Sequence, residues 1–242
     1  MSKGLINKMM LKSILEGADY NQILTALIDE GIITENDIVE YYNNNLKSKD
    51  ESKLNEVQNN QYSKIVDGVL VEFDERDLNR NGAYIVPRRV HTIETHAFYR
   101  CDNLRKVHLG RDVVEIGMKA FFECKNLQSV TMTNSVRKMG EYAFTFCGNL
   151  TTVKLSDNLK EIPEYAFMDC DNLQAISLPT KLERIDKYAF GTCGNLMSIS
   201  TPPANLTYVH NTAFEGTPIK KDFMRRFQEN REFAEQNKGN TK

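Results

Sequence analysis

The sequence predicts an α/β repeat solenoid, a stack of about six 23-residue coils with a parallel sheet on one face. Three observations predict it. All five cysteines (Cys101, Cys124, Cys147, Cys170, Cys193) fall on one spacing of 23 residues. The pair Ala-Phe keeps the same period at Ala97-Phe98, Ala120-Phe121, Ala143-Phe144, Ala166-Phe167 and Ala189-Phe190, and returns after 24 residues at Ala213-Phe214. Around these, Asn103, Asn126, Asn149, Asn172 and Asn195 are each followed by a leucine, and further apolar columns follow at fixed offsets. A fixed internal period of this length is the signature of a stacked-repeat architecture.

Each part of the unit has a physical reading. The columns Val107, Val130, Val153, Ile176, Ile199 and Leu109, Met132, Leu155, Leu178 place apolar residues alternately after the Asn-Leu pair. That alternation reads as a short strand, L-x-x-V-x-L, paired with its copy in the next coil roughly 5 Å away. The columns beginning Val90, Val113, Val136 and Ile93, Ile116, Met139 form a V-x-x-I segment, expected to turn the corner. The A-F-x-x-C segment is expected to be a tight helical turn on the far side. There alanine is small where backbones come close and phenylalanine fills the centre. The asparagine column is expected to be a buried row that caps turn backbone through its side-chain amides.

Through five consecutive units the A-F-x-x-C-x-N-L core resembles the BspA-like class of bacterial leucine-rich repeats, over roughly residues 63–218. The resemblance implies a leucine-rich-repeat right-handed coil. It also implies a recognition protein, since many family members are displayed on cell surfaces as adhesins. The lead-in V-D-G-V-L-V-E-F, from Val66, resembles the degenerate, hairpin-like first unit of such arrays.

Terminal coils need covers, because stacking leaves an apolar face at each end. Residues 219–242 read as a C-terminal capping helix and tail, with Ile219, Phe223 and Phe227 four apart on one face. The basic residues Lys220, Lys221, Arg225, Arg226 and Arg231 fit a solvated face; an acidic partner is the alternative. Residues 1–48 carry no repeat columns and read as a small all-α segment. Its helices are expected near 3–16, 20–30 and 35–47, stopped by Gly17 and Gly31 and capped by Asp19 and Thr34. Residues 49–62 are polar and read as a linker. The helical segment has three readings, all open: packing on the solenoid, self-association, or docking elsewhere.

Composition narrows the function classes. A hydrophobic share of 40% with 26% charged residues predicts a folded chain, and a net charge of −2 makes no case for nucleic acid or an anionic membrane. No stretch approaches the roughly 18 apolar residues of a membrane span. The N-terminus reads as an amphipathic helix carrying Lys3, Lys8 and Lys12, without an apolar export core, so a cytoplasmic, reducing location is expected. An odd cysteine count suits free thiols there. One cysteine per coil reads as a small interior hydrophobe, and His91, His96, His108 and His210 occupy different repeat positions and form no ligand set. No phosphate-loop, dinucleotide, nucleophile-elbow or H-E-x-x-H motif is present, so neither an enzyme nor a cofactor is expected.

The surface carries the remaining information. On the strand face, Lys106, His108, Thr131 and Lys154 project outward in a hydroxyl-rich strip with basic residues toward its first half. That strip could admit a partner closely, or simply reflect the suitability of Thr and Ser for exposed strands. On the turn side, Tyr99, Phe122, Phe146 and Met168 form an apolar strip that is a candidate interface. The neighbouring column Tyr142, Tyr165, Tyr188 reads as tyrosines stacked over the coil edge. These features predict a non-enzymatic module that presents a rigid surface to another protein, as a bacterial or phage-encoded adaptor or inhibitor. A surface adhesin is the alternative.

Overall fold

The computed structural model describes residues 62–238. The expected N-terminal helices and most of the linker lie outside these residues. The chain enters through an antiparallel hairpin, β1 (Lys64–Val66) and β2 (Val69–Glu72), joined by Asp67 and Gly68, both with positive φ. An Asp-Gly pair suits such a turn because both central residues must adopt the left-handed conformation.

From there the chain is a parallel-sheet solenoid. One sheet runs through β3 (Ala83–Ile85), β5 (Lys106–His108), β7 (Ser129–Thr131) and β9 (Thr152–Lys154), with β11 (Ala175–Ile176) and β13 (Ser198–Ile199) pairing beyond them. Its register is the 23-residue period itself: Val107 pairs with Val130 and Val130 with Val153. The V-x-x-I segment, expected only as a corner, forms a second parallel ladder. Its strands are β4 (Thr92–Ile93), β6 (Glu115–Ile116) and β8 (Lys138–Met139), continuing from β2, and then, after a break in pairing, β10 (Glu161–Ile162), β12 (Arg184–Ile185) and β14 (Tyr208–Val209). Two-residue strands are too short to show a period of their own.

The A-F-x-x-C segment departs from the expected helical turn. It is a run of overlapping β-turns, in which Ala97, Tyr99 and Cys101 each donate to the carbonyl three residues back. Between them, alternate N–H groups reach the next coil: Tyr142, Phe144 and Phe146 donate to the carbonyls of Glu164, Ala166 and Met168. This geometry needs positive φ at two non-glycine positions per coil, as at Tyr142 (59°) and Phe146 (60°). The conformation is costly for an L-residue but is held by hydrogen bonds on both sides. A helix would turn those donors along its own axis and leave the neighbouring coil unpaired.

The interior is one continuous core. Phe98, Phe121, Phe144, Phe167, Phe190 and Phe214 stack face over face with ring centroids 4.5–5.4 Å apart and planes within 13° of parallel. The strand repeat of the solenoid sets that spacing. Each cysteine is buried, and all five are free thiols. Four of them donate to the phenylalanine carbonyl of the preceding coil; Cys124, for example, lies 2.9 Å from Phe98 O and Cys193 3.0 Å from Phe167 O. A thiol is small enough for the row and satisfies a carbonyl that would otherwise have only its turn partner.

The asparagine column is exposed, not buried. Asn126 donates to the backbone carbonyl of Asp102 at 2.8 Å, and Asn172 to Asn149 Oδ1 at 3.2 Å. The amides form a coil-to-coil polar ladder on the rim, which explains the invariance of the column by the pitch of the stack rather than by desolvation. The row terminates at Asn103, whose amide and backbone N–H both bond Glu75.

Both ends of the phenylalanine stack are covered. Phe73 lies 4.5 Å from Phe98 at the entry, with Tyr84 edge-on to both. At the exit, helix α1 (Lys220–Lys238) lays Phe223 on Phe214 at 4.7 Å and buries Ile219 and Phe227 beside it. Its basic residues are largely committed within the chain. Arg225 bonds Asp222 and Glu229, Arg231 pairs with Glu235, and Lys220 pairs with Glu215.

Candidate partner interface

Strand pairing brings the four sheet-face candidates together. His108 pairs with Thr131 and Thr131 with Lys154, so these three form one outward row across adjacent strands. Lys106 stands in the parallel row with Ser129 and Thr152. Their outward projection follows from burial of Val107, Val130 and Val153 between them, since neighbours along a strand face opposite sides. No carboxylate occupies an outward position of β5, β7, β9, β11 or β13.

The turn-side candidates also converge. Tyr99 stacks on Phe122 at 5.6 Å, and Phe146 meets Phe122 edge-on at 5.4 Å. Tyr99 and Phe146 remain 40% and 42% exposed, a large apolar surface for residues fixed on a rigid ladder. Arg100 spans to Glu123 at 2.9 Å and lies 5.0 Å over the Tyr99 ring, so its stem lines the strip. Met168 joins through backbone, accepting from Phe146 N–H, and its side chain is half-buried. Tyr142, Tyr165 and Tyr188 stack on one another at 4.6 and 5.5 Å. They do cover the coil edge, and they extend the aromatic strip. Lys119 sits between the two groups, 5.6 Å from the Phe122 ring and 5.4 Å from Tyr142. In the column of Tyr99, Phe122 and Met168, Thr145 takes the place of an aromatic and is buried, its hydroxyl donating to Tyr165 O.

One charged group was not anticipated from the sequence. Asp186 is buried against the guanidinium of Arg184, with Glu161 of the adjacent coil beside both. Hydrogen bonding to Asp186, helped by burial, pushes the Glu161 carboxyl up to about 7. Burial alone would raise Asp186. The Arg184 guanidinium and the Glu161 proton outweigh it and hold Asp186 below its ordinary value. Only the 23-residue pitch brings Glu161 and Asp186 together, so no local motif announces them.

The sign of the pH effect follows. Glu161 binds its proton more tightly in the fold than at the ordinary 4.5, so its contribution is present at weakly acidic pH and is lost as pH rises toward 7. The Asp186 contribution is present above the ordinary 3.8 and is lost as pH falls through its depressed value. The pair therefore favours weakly acidic conditions. Glu161→Gln, which keeps a donor for Asp186, should raise stability at pH 8 by less than about 1 kcal/mol, given solvent screening of Glu161. It should change little at pH 5. Urea unfolding at the two pH values checks this; an equal effect at both would contradict it.

Among the described residues, no group of three or more His, Cys, Asp and Glu is placed to hold a metal ion, and no helix is long and apolar enough to cross a membrane. Burial pushes the Cys147 thiol well up, and Cys124 and Cys170 likewise. Thiol chemistry needs the thiolate, which this burial disfavours.

The repeat geometry has solved counterparts. The chain is similar to a leucine-rich cell surface protein from Faecalibacterium prausnitzii, with 25% identity and a TM-score of 0.53, over 62% of this chain and 42% of that one. A leucine-rich repeat protein from Eubacterium ventriosum gives 25% identity and a TM-score of 0.52, over 62% of this chain and 46% of the other. The chain thus spans less than half the length of either. No curated protein matches it. The profile of the BspA type leucine rich repeat region matches in six copies over residues 91–220, more than half of the 242 residues. With the phenylalanine ladder, the cysteine row and the two parallel sheets on one 23-residue pitch, this chain belongs to the BspA-type leucine-rich repeat family.

Proposed function

We propose that the protein is a non-enzymatic binding module whose rigid coils present a fixed surface to another protein, as an adaptor or an inhibitor. The observation that carries this reading is the aromatic strip in which exposed Tyr99 and Phe146 pack on half-buried Phe122, held on a scaffold whose described coils are each hydrogen-bonded to the next. Rigid aromatic anchors lose little entropy on binding and dominate interface energetics. The basic, hydroxyl-rich sheet face offers a second surface. A cytoplasmic location suits five free thiols.

The test uses the intact chain with a benzophenone amino acid at Phe146 or at Thr131, irradiated in its native host. A cross-linked adduct with a second protein from either position is the expected result. Absence of any adduct from both positions would overturn the reading. Display at the cell surface is the second reading, favoured by the cell-surface description of the Faecalibacterium neighbour. Fractionation that finds the protein only in the cytosol removes it.

A further inference from the structure

The turn strip changes character along its length. Around Tyr99 and Phe122 its charges are matched, with Arg100 bonded to Glu123. In the next two coils Glu141, Glu164 and Asp169 border Tyr142, Tyr165 and Phe146, and none of the three has an ion-pair partner among the described residues. The second sheet behaves differently. There Glu115, Glu161 and Glu183 each face a cation of the adjacent coil: Lys138 at 3.9 Å, Arg184 at 3.8 Å and Lys160 at 2.6 Å. The repeat can therefore pair carboxylates directly with cations across coils, whereas on this part of the turn face three carboxylates share the nearby Lys119 and Lys187 without a direct ion pair, and Lys187 acts on Glu164 only at longer range.

The rings of the strip already take cations. Lys119 lies 5.4 Å from the Tyr142 ring, and Lys187 lies 5.9 Å from both Tyr165 and Tyr188. An aromatic surface bordered by carboxylates attracts cations twice, through ring quadrupoles and through charge.

We propose that the strip over Tyr142, Phe146 and Tyr165 seats a basic segment of the partner protein, with lysine or arginine heads at Glu141, Glu164 and Asp169 and their stems on the rings. The inference rests on the protein-binding reading and adds the chemistry of the partner.

The test measures fluorescence polarisation of a labelled arginine–glycine decapeptide on the full chain, with a glutamate–glycine decapeptide as counterpart. The basic peptide should bind and weaken with salt, and the acidic one should not bind. Glu141→Gln with Glu164→Gln, and separately Phe146→Ser, should each weaken binding at least about fivefold, the size of one exposed cation–ring contact. Removing two carboxylates elsewhere, with Glu72→Gln and Glu232→Gln, should leave it unchanged. No binding of the basic peptide, equal binding of the acidic one, or indifference to the turn-face variants overturns the proposal. In the cross-linking experiment, an adduct at Thr131 with none at Phe146 would remove this inference and leave protein binding standing; no adduct at either removes both.

Discussion

Phe144→Ala should destabilise the protein by about 3–5 kcal/mol, the cost of emptying a fully buried phenylalanine site. Phe144 lies mid-stack, with Phe121 at 4.9 Å and Phe167 at 5.2 Å. The preceding coil is held in place by backbone ladders on both sheets, and the following coil by turn-side hydrogen bonds from Tyr142, Phe144 and Phe146, so the cavity has little room to collapse. A solenoid is stabilised by neighbour-to-neighbour interfaces, and this substitution weakens two at once. The array should then uncouple at that level, giving a broadened urea transition with a lower slope as well as a lower midpoint. A loss below about 1 kcal/mol would mean that the ring does not fill the coil centre.

Phe223→Ala should be comparably costly in free energy but different in kind. Phe223 is the last ring of the stack, fully buried on Phe214 at 4.7 Å, and it comes from α1 rather than from a coil. Its loss exposes the face of the final unit while the inner interfaces stay intact. The cost, on the order of 3 kcal/mol, should therefore appear as fraying of the end. Hydrogen exchange should rise over residues 206–217 and along α1, and stay unchanged around Phe121 and Phe144. Uniformly faster exchange throughout the solenoid would contradict a nearest-neighbour stack.

These two residues were readable in advance, and the reason is physical. Phe144 and Cys147 recur every 23 positions because each coil needs the same side-chain volume over the same spot. Phe223 reads as a cover because Ile219, Phe223 and Phe227 share a helical period just past the last repeat. The turn conformation was not readable. Positive φ usually announces itself through glycine, yet Tyr142, Tyr165 and Phe146 adopt it because hydrogen bonds from adjacent coils hold it. The second sheet was also hidden, since strands such as Lys138–Met139 are too short to alternate.

The candidate surfaces divide in the same way. Lys106, His108, Thr131 and Lys154 follow from strand alternation, and pairing places them on one face as the period requires. Tyr99, Phe122 and Phe146 were visible as unburied aromatics beside the Ala-Phe pair, but their mutual packing depends on two adjacent columns meeting across coils. The Glu161–Asp186 pair belongs to the same class: its members are far apart in the chain and close only through the pitch.

Thiol titration of the native and unfolded chain with a bulky disulfide reagent tests the shared interior most directly. The structure predicts essentially no reaction in the native protein and five reactive thiols in denaturant, because every cysteine is enclosed between successive coils. Rapid stoichiometric labelling under native conditions would place these side chains outside and contradict the stacking of residues 23 apart.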